Sequence, residues 1–338
     1  MSRFIVQRLL WSVFVIFGLS LMTFVLSHMV PADPVGALVG YLTTDGTYER
    51  EIHRLGLDKP LHEQYLIYVR NMFRLDLGVS IRTRRPVVND LKMYFPPTAE
   101  LTITAMLLII LIAIPLGTLS ALRRDTVIDH VSRLIALSGV SMPVFWLGVL
   151  LQLVFYANLE LLPIDGRLSI SVDPPQHITG MYIVDSLLTG NMAVFWDSLK
   201  HLILPAVTLA FPSMTIITRM TRSSVLDIVR QPHVVTARAK GLTERAIVVR
   251  HVLKNALIPV ITLLGLQAGR LLGGAFLVEI IFSWPGMGFY AIKSMLGMDY
   301  SSVMGVTLFV AVIFLLVNMA VDFLYAFLDP RITYESRS

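Results

Sequence analysis

Residues 236–259, TARAKGLTERAIVVRHVLKNALIP, form the most polar and most basic stretch lying between two apolar runs. Their chemistry is that of docking, not of bond making. Ala237, Ala239 and Gly241 strip bulk from one corner, so a backbone can approach a partner surface, while Arg238, Lys240, Arg245 and Arg250 stay around it. The segment 222–240 holds no Gly and one Pro, so a helix is expected as far as Gly241, the residue that takes a left-handed helix-ending conformation at least cost. Thr243 is the expected N-cap of a following helix and Glu244 its first-turn carboxylate. Ala246, Val248, Val249, Val252, Leu253 and Leu257 give that helix an apolar face. The pattern is helix, tight Gly turn, helix. A basic helix pair resting on anionic headgroups is the other reading of these charges.

A second pair of polar residues sits inside an apolar run. Arg270 lies near the middle of it with Gln267 one turn earlier, and Gly269, Gly273 and Gly274 alongside. An Arg at that depth costs about 2.5 to 3.5 kcal/mol against lipid, so it is expected to face a polar interior. Arg270 and Gln267 are candidate linings of a translocation path; an ion pair with a partner chain and snorkelling of Arg270 towards the membrane surface are the competing roles. Glu279 is nine residues on, about 13.5 Å along the axis, too far for direct contact.

Bond-making chemistry finds no support. There is no G-x-x-x-x-G-K-[ST] phosphate loop and no H-E-x-x-H, the eight histidines are scattered, and the chain has no cysteine. No enzymatic activity, metal or cofactor is expected, and energy must come from a partner.

The elements that must position these residues are membrane helices. Over 338 residues the chain is 55% hydrophobic and 15% charged, with a mean hydropathy of +0.70, the composition of a multispanning membrane protein. The net charge of +5 needs no nucleic-acid partner, because the cations lie in loops beside apolar runs. Runs at residues 9–29, 101–122, 134–159, 202–218, 257–282 and 303–327 predict an all-α protein with six transmembrane helices. No cleavage site precedes Pro31, so the first is read as a retained span. Fifteen Lys and Arg fall in the segments expected inside and three in the short segments expected outside, which puts both termini in the cytoplasm. The chain is read as one transmembrane domain, 1–338, with an external loop over 30–100 and a cytoplasmic segment over 219–256. In the loop, 47–55 and 61–75 read as short helices, stopped at Gly56 and started by Pro60 at the first helical position. Pro115, Pro143, Pro205, Pro212 and Pro259 are expected to kink spans.

The spacing Ala237, Ala239, Gly241 and then Ile258-Pro259 resembles the EAA signature of ABC importer permeases, the loop by which a membrane subunit engages its ATPase. TARAKGL and KNALIPVIT are similar to the first permease subunit of dipeptide/oligopeptide importers, although Pro232-His233 and Val235 depart from that pattern. Further similarities are His28 to Pro31 with Asp33-Pro34, LGLDKPLHEQYLIY followed by DLGVS, Phe282-Ser283-Trp284-Pro285-Gly286-Met287-Gly288, and Val321, Asp322, Tyr325 with Asp329-Pro330-Arg331. The resemblance implies ATPase coupling through Thr236, Ala237, Arg238, Ala239, Lys240, Gly241 and Pro259. It implies a second permease subunit, two ATP-binding subunits and an extracytoplasmic solute-binding protein, in a bacterial inner membrane. Tyr65, Tyr68 and Trp284 are candidate docking residues for that binding protein. Di- or oligopeptides are the implied solutes; nickel and glutathione importers use similar permeases. An ion-coupled secondary transporter is the contrasting class, disfavoured by the absence of an evident inverted repeat and by only two candidate carboxylates, Glu279 and Asp322.

Overall fold

The computed structural model describes residues 2–29, 50, 52–53 and 58–328. Most of the helix expected at 47–55, its stop at Gly56, and the motifs at 30–34 and 329–331 lie outside the described residues. Among those described there are no strands, only an isolated antiparallel bridge between Val79 and Pro86. The helices are α1 Ser2–Met29, α2 Leu61–Phe73, α3 Val87–Leu122, α4 Val127–Ser141, α5 Val144–Asn158, α6 Tyr182–Leu188, α7 Met192–Val229, α8 Pro232–Ala239, α9 Glu244–Ile281, α10 Met287–Leu296 and α11 Tyr300–Leu328.

Four of the described helices are long and apolar enough to cross a bilayer: α3, α7, α9 and Tyr300–Val321 within α11. A fifth crossing exists if α4 and α5 are one broken span. The sequence predicts a single helix over 134–159, but Val127–Gly139 and Val144–Asn158 meet at 110°. Pro143 is the reason, because it forces extended backbone before it: Met142 has ψ 123° and the chain restarts after Pro143. α1 is helical over Ser2–Met29.

The other prolines act differently from one another. Pro205 and Pro212 lie inside α7 and Pro259 inside α9. Pro115 follows a π-helical turn, Ile109–Ala113, whose wider spacing makes room for a ring that cannot donate. Pro60 caps α2 from outside, with ψ 146°, instead of occupying its first turn.

The chain divides into two compact units. One comprises 1–96 and 286–316. Here Phe24 of α1 is buried beside Tyr65 and Tyr68 of α2, with ring centroids 5.3 and 5.9 Å away. Elsewhere in this unit a buried polar chain runs from Asp90 through the Tyr290 hydroxyl, which donates to it at 2.9 Å, to Ser302 and Asp299.

The other unit comprises 97–285 and 317–338. Its axis is α7, a 38-residue helix about 57 Å long, which exceeds the roughly 30 Å of hydrocarbon and must project from the membrane. The Asn191 side chain caps its start by accepting from the Val194 amide at 3.2 Å. α3, α4, α5, α6 and α9 all pack against it. Leu101, Ile109, Leu202, Leu209, Ile217, Val260, Leu271 and Trp284 belong to the larger apolar core. Gly117 allows α3 to touch α7, since a Cβ there would stand 2.5 Å from the Thr218 carbonyl oxygen. A separate small core forms at the far end of α7 from Ala121, Val225, Val234, Ala237, Ile247, Val252 and Ala256.

Candidate functional site

The basic corner is built on that small core. α7 ends at Val229 because Pro232 restricts the residue before it: Gln231 is extended, with ψ 149°, and Pro232 opens α8. The continuous helix expected over 222–240 is therefore two helices. α8 ends as the sequence predicts. Gly241 has φ +76°, its amide donates to Arg238 O at 3.0 Å, and the Leu242 amide donates to Ala237 O at 3.4 Å. Thr243 is extended and its hydroxyl accepts from the Ala246 amide at 3.4 Å.

The apolar face of the next helix differs from the expected one. Ile247, Val252 and Ala256 are buried, while Val249 is 57% exposed. A five-residue step from 247 to 252 does not keep to one face of an α-helix, but Ile247–Leu253 is π-helical, and its i to i+5 hydrogen bonding widens the turn and brings residues five apart closer to one face. Ala237 is also buried, at 4%, against these residues, so its small side chain serves packing between α8 and α9 instead of the outer surface. The outward residues are Thr236, Arg238, Ala239, Lys240 and Gly241, flanked by the exposed apolar side chains of Val235 and Leu242.

One expected docking cation is already engaged. Arg238 grips Glu244 across the turn with two hydrogen bonds, Nε to Oε1 at 2.7 Å and Nη2 to Oε2 at 3.1 Å. The hydrogen bond to Glu244 raises the Arg238 pKa above its ordinary value. Pro259 lies one turn into the continuing helix, half-buried.

The structure does not bring Gln267 and Arg270 together on one wall. Gln267 is buried, with Oε1 accepting from Ser213 of α7 at 3.0 Å and Nε2 left without a partner. Arg270 is exposed and makes no ion pair among the described residues. Next to it on the helix surface, Gly273 has open space where a side chain would be, whereas Gly274 faces Leu209. Glu279 is fully buried and accepts from Thr98 at 2.5 Å.

The aromatic candidates are less accessible than the sequence suggests. Trp284 is 1% exposed and donates its indole N–H to Pro97 O at 2.9 Å, so it offers no surface to a docking protein. Its motif makes a tight turn, with Ser283 at φ 47°, that tucks the ring inward. Tyr65 and Tyr68 are half-buried against α1, the Tyr65 hydroxyl 2.9 Å from Ser20 Oγ.

Two polar clusters escaped the sequence reading. Near Trp284, the buried Arg167 donates to Glu100 at 2.6 Å and to Gly180 O at 2.9 Å and lies 3.5 Å over the Tyr182 ring. Asp185 fastens the loop beneath it, accepting from the amides of Ile178, Thr179 and Gly180 and from the Thr179 hydroxyl. At the other end, Asp129 of α4 accepts from Arg222 at 2.6 and 2.8 Å and from Ser120 at 2.6 Å. Partners 67 and 93 residues apart leave no local signature.

Comparison with known proteins covers nearly the whole chain. A family described as "Binding-protein-dependent transport system inner membrane component" matches residues 113–334, and the corresponding N-terminal family matches 1–102. The probable D,D-dipeptide transport system permease protein of Escherichia coli (strain K12) is 47% identical over 326 residues, 96% of each chain. The dipeptide transport system permease protein of Alkalihalophilus pseudofirmus is 41% identical, covering 99% of this chain and all of that one. The glutathione transport system permease protein of Escherichia coli O6:H1 is 36% identical, again over 99% of this chain.

Proposed function

The chain belongs to the binding-protein-dependent transport system inner membrane component family, and from that membership we propose that it is one of two permease subunits of an ATP-driven importer of di- or oligopeptides. It pairs with a second, similar permease, takes energy from two ATP-binding subunits inside, and receives solute from an extracytoplasmic binding protein. In this reading six helices cross the bilayer, α1 and the broken pair α4–α5 included, and both termini are cytoplasmic.

The observation that carries the coupling role is the corner at Gly241. A short helix, braced from behind by Val234 and Ala237, presents Thr236, Ala239, Lys240 and Gly241 outward, with the backbone uncovered at Gly241. Such a surface transmits a push from an ATPase subunit through the small core to α7 and α9, the helices that also hold Ser213 and Gln267. Gly241→Val tests it. Its Cβ would meet nothing within 4 Å, so the substitution acts through the left-handed backbone alone. Normal membrane levels with lost uptake and lost substrate-stimulated ATP hydrolysis are expected; full uptake would overturn the assignment.

For the solute, the relatives' names favour dipeptides, and the glutathione permease is the second reading. Both solutes carry carboxylates, for which exposed Arg270 is the proposed pathway contact, while Tyr65 and Tyr68 remain the proposed rim of the binding-protein contact. Uptake of labelled L,L-dipeptide, D,D-dipeptide and glutathione by a strain carrying the complete importer separates the readings.

A further inference from the structure

A cavity of about 260 Å³ opens between α4 and α7, lined by Ser120, Ser132, Arg133, Ala136, Leu137, Thr218, Arg219 and Arg222. Three of its lining residues are arginines. One buried carboxylate, Asp129, stands against them, and it is fully used: Arg222 grips it twice, Ser120 donates to Oδ1, and the Asp125 amide donates to Oδ2 at 3.1 Å. Arg133 reaches no closer than 3.9 Å to Asp129 and instead meets His130 Nδ1 at 2.6 Å. Arg219 has no ion pair or side-chain hydrogen bond among the described residues. Nearby, Arg124 is paired with Asp125 at 3.2 Å, which leaves that carboxylate committed as well. The cavity thus keeps Arg219 with no anion of the chain's own to answer it, and Arg133 answered only by the distant edge of a carboxylate that Arg222 already grips.

Ser120, Ser132 and Thr218 add hydroxyls beside the arginines, and the remaining lining is apolar and continues outward. Ala136 and Leu137 form the other wall, and Leu137 shares its helix with Leu134 and Val131, which are 63%, 66% and 47% exposed. A pocket with cations at one end and an uncovered apolar helix face at the other matches a molecule with an anionic head and a hydrocarbon tail. We propose that this pocket binds the phosphate headgroup of an anionic phospholipid, with Arg219 and Arg133 on the phosphate and an acyl chain along α4. Guanidinium forks match phosphate oxygens geometrically, and basic pockets between helices at a membrane surface are suited to such headgroups. The volume lies just below the range of about 300 to 1,000 Å³ that takes a drug-sized molecule whole, which suits a headgroup with its tail outside. Arg222 keeps the site shaped by holding α4 to α7 through Asp129. The orientation proposed above assigns the pocket to the cytoplasmic leaflet; the binding itself does not depend on what the complex transports.

The test uses the assembled importer in nanodiscs containing equal amounts of phosphatidylglycerol and phosphatidylcholine, with the lipids retained after extraction counted by native mass spectrometry. Parent complex is expected to keep phosphatidylglycerol selectively. Arg219→Gln and Arg133→Gln should each lower that selectivity about fivefold, the loss of one surface cation's attraction. Arg230→Gln, a cation at the end of α7 outside the pocket, should leave it unchanged. Equal retention of the two lipids by the parent, or an equal loss in Arg230→Gln, overturns the site. Displacement of phosphatidylglycerol by millimolar glycerol phosphate, a headgroup without a tail, overturns the lipid assignment. Loss of peptide uptake with lipid selectivity intact would bear on the transport reading and leave this one standing.

Discussion

Asp185 shows what a single carboxylate does for the loop that precedes α6. Burial alone would raise its pKa, but four donors from Ile178, Thr179 and Gly180 outweigh this and hold it below the usual carboxylate range. A depressed folded-state pKa means stability that is complete above the unfolded value of about 3.9 and is lost as pH falls through the lower folded value. Asp185→Asn should therefore lower the unfolding temperature of the complex at pH 6, with the gap to the parent closing as pH approaches 3; a gap independent of pH would show that charge is not its role. Arg222 gives a second case. Arg222→Ala takes both charged hydrogen bonds from the buried Asp129 and leaves it only Arg133 at 3.9 Å, and a loss of about 3 kcal/mol is expected in thermal unfolding. None of these pairs was legible in the sequence, where Arg167 and Arg222 register only as loop charges. Gly241, by contrast, was legible to its backbone angle, because a Gly after a basic helical run followed by Thr-Glu is a purely local signal.

Elements were legible wherever periodicity and capping decide them, and misread where the helix is not α. At the α8–α9 corner the buried set is Ile247, Val252 and Ala256, not the expected face, since a π-helical turn was not anticipated. The same turn gives a prediction. A π turn holds one residue more than the α turn it replaces, so deleting Val249 restores an α-helix and leaves the Glu244 and Leu257 ends nearly in register. Glu244 then stays beside Arg238 and Ile247 beside Ala237. Cysteines placed at 238 and 244, in a chain that has none of its own, should be joined by a short bifunctional reagent in the parent and in the deletion alike. Loss of joining in the deletion would mean that the wide turn does more than absorb one residue. Pro143 was foreseen as a kink and proved to be a break, because its effect on the residue before it acts together with Gly139 and Ser141, both weak helix formers.

At the scale of the whole molecule, composition sufficed for an all-helical membrane protein, and the comparisons extend the family over nearly every residue. What composition could not give is which faces are left over once the chain has packed on itself. The window of α9 that would cross the membrane is only 22% buried within this chain, and Arg270 and Gly273 lie on its uncovered side. We predict that a cysteine at 270 reacts with a water-soluble maleimide in the assembled importer and is protected by saturating peptide; inertness in every nucleotide state would exclude Arg270 from the path. The three wide turns among the described residues, in α3, α5 and α9, carry a further implication. Each is a dislocation in an otherwise regular lattice of hydrogen bonds. A dislocation glides by exchanging one bond for its neighbour, so a helix containing one can screw about its axis a residue at a time without ever melting.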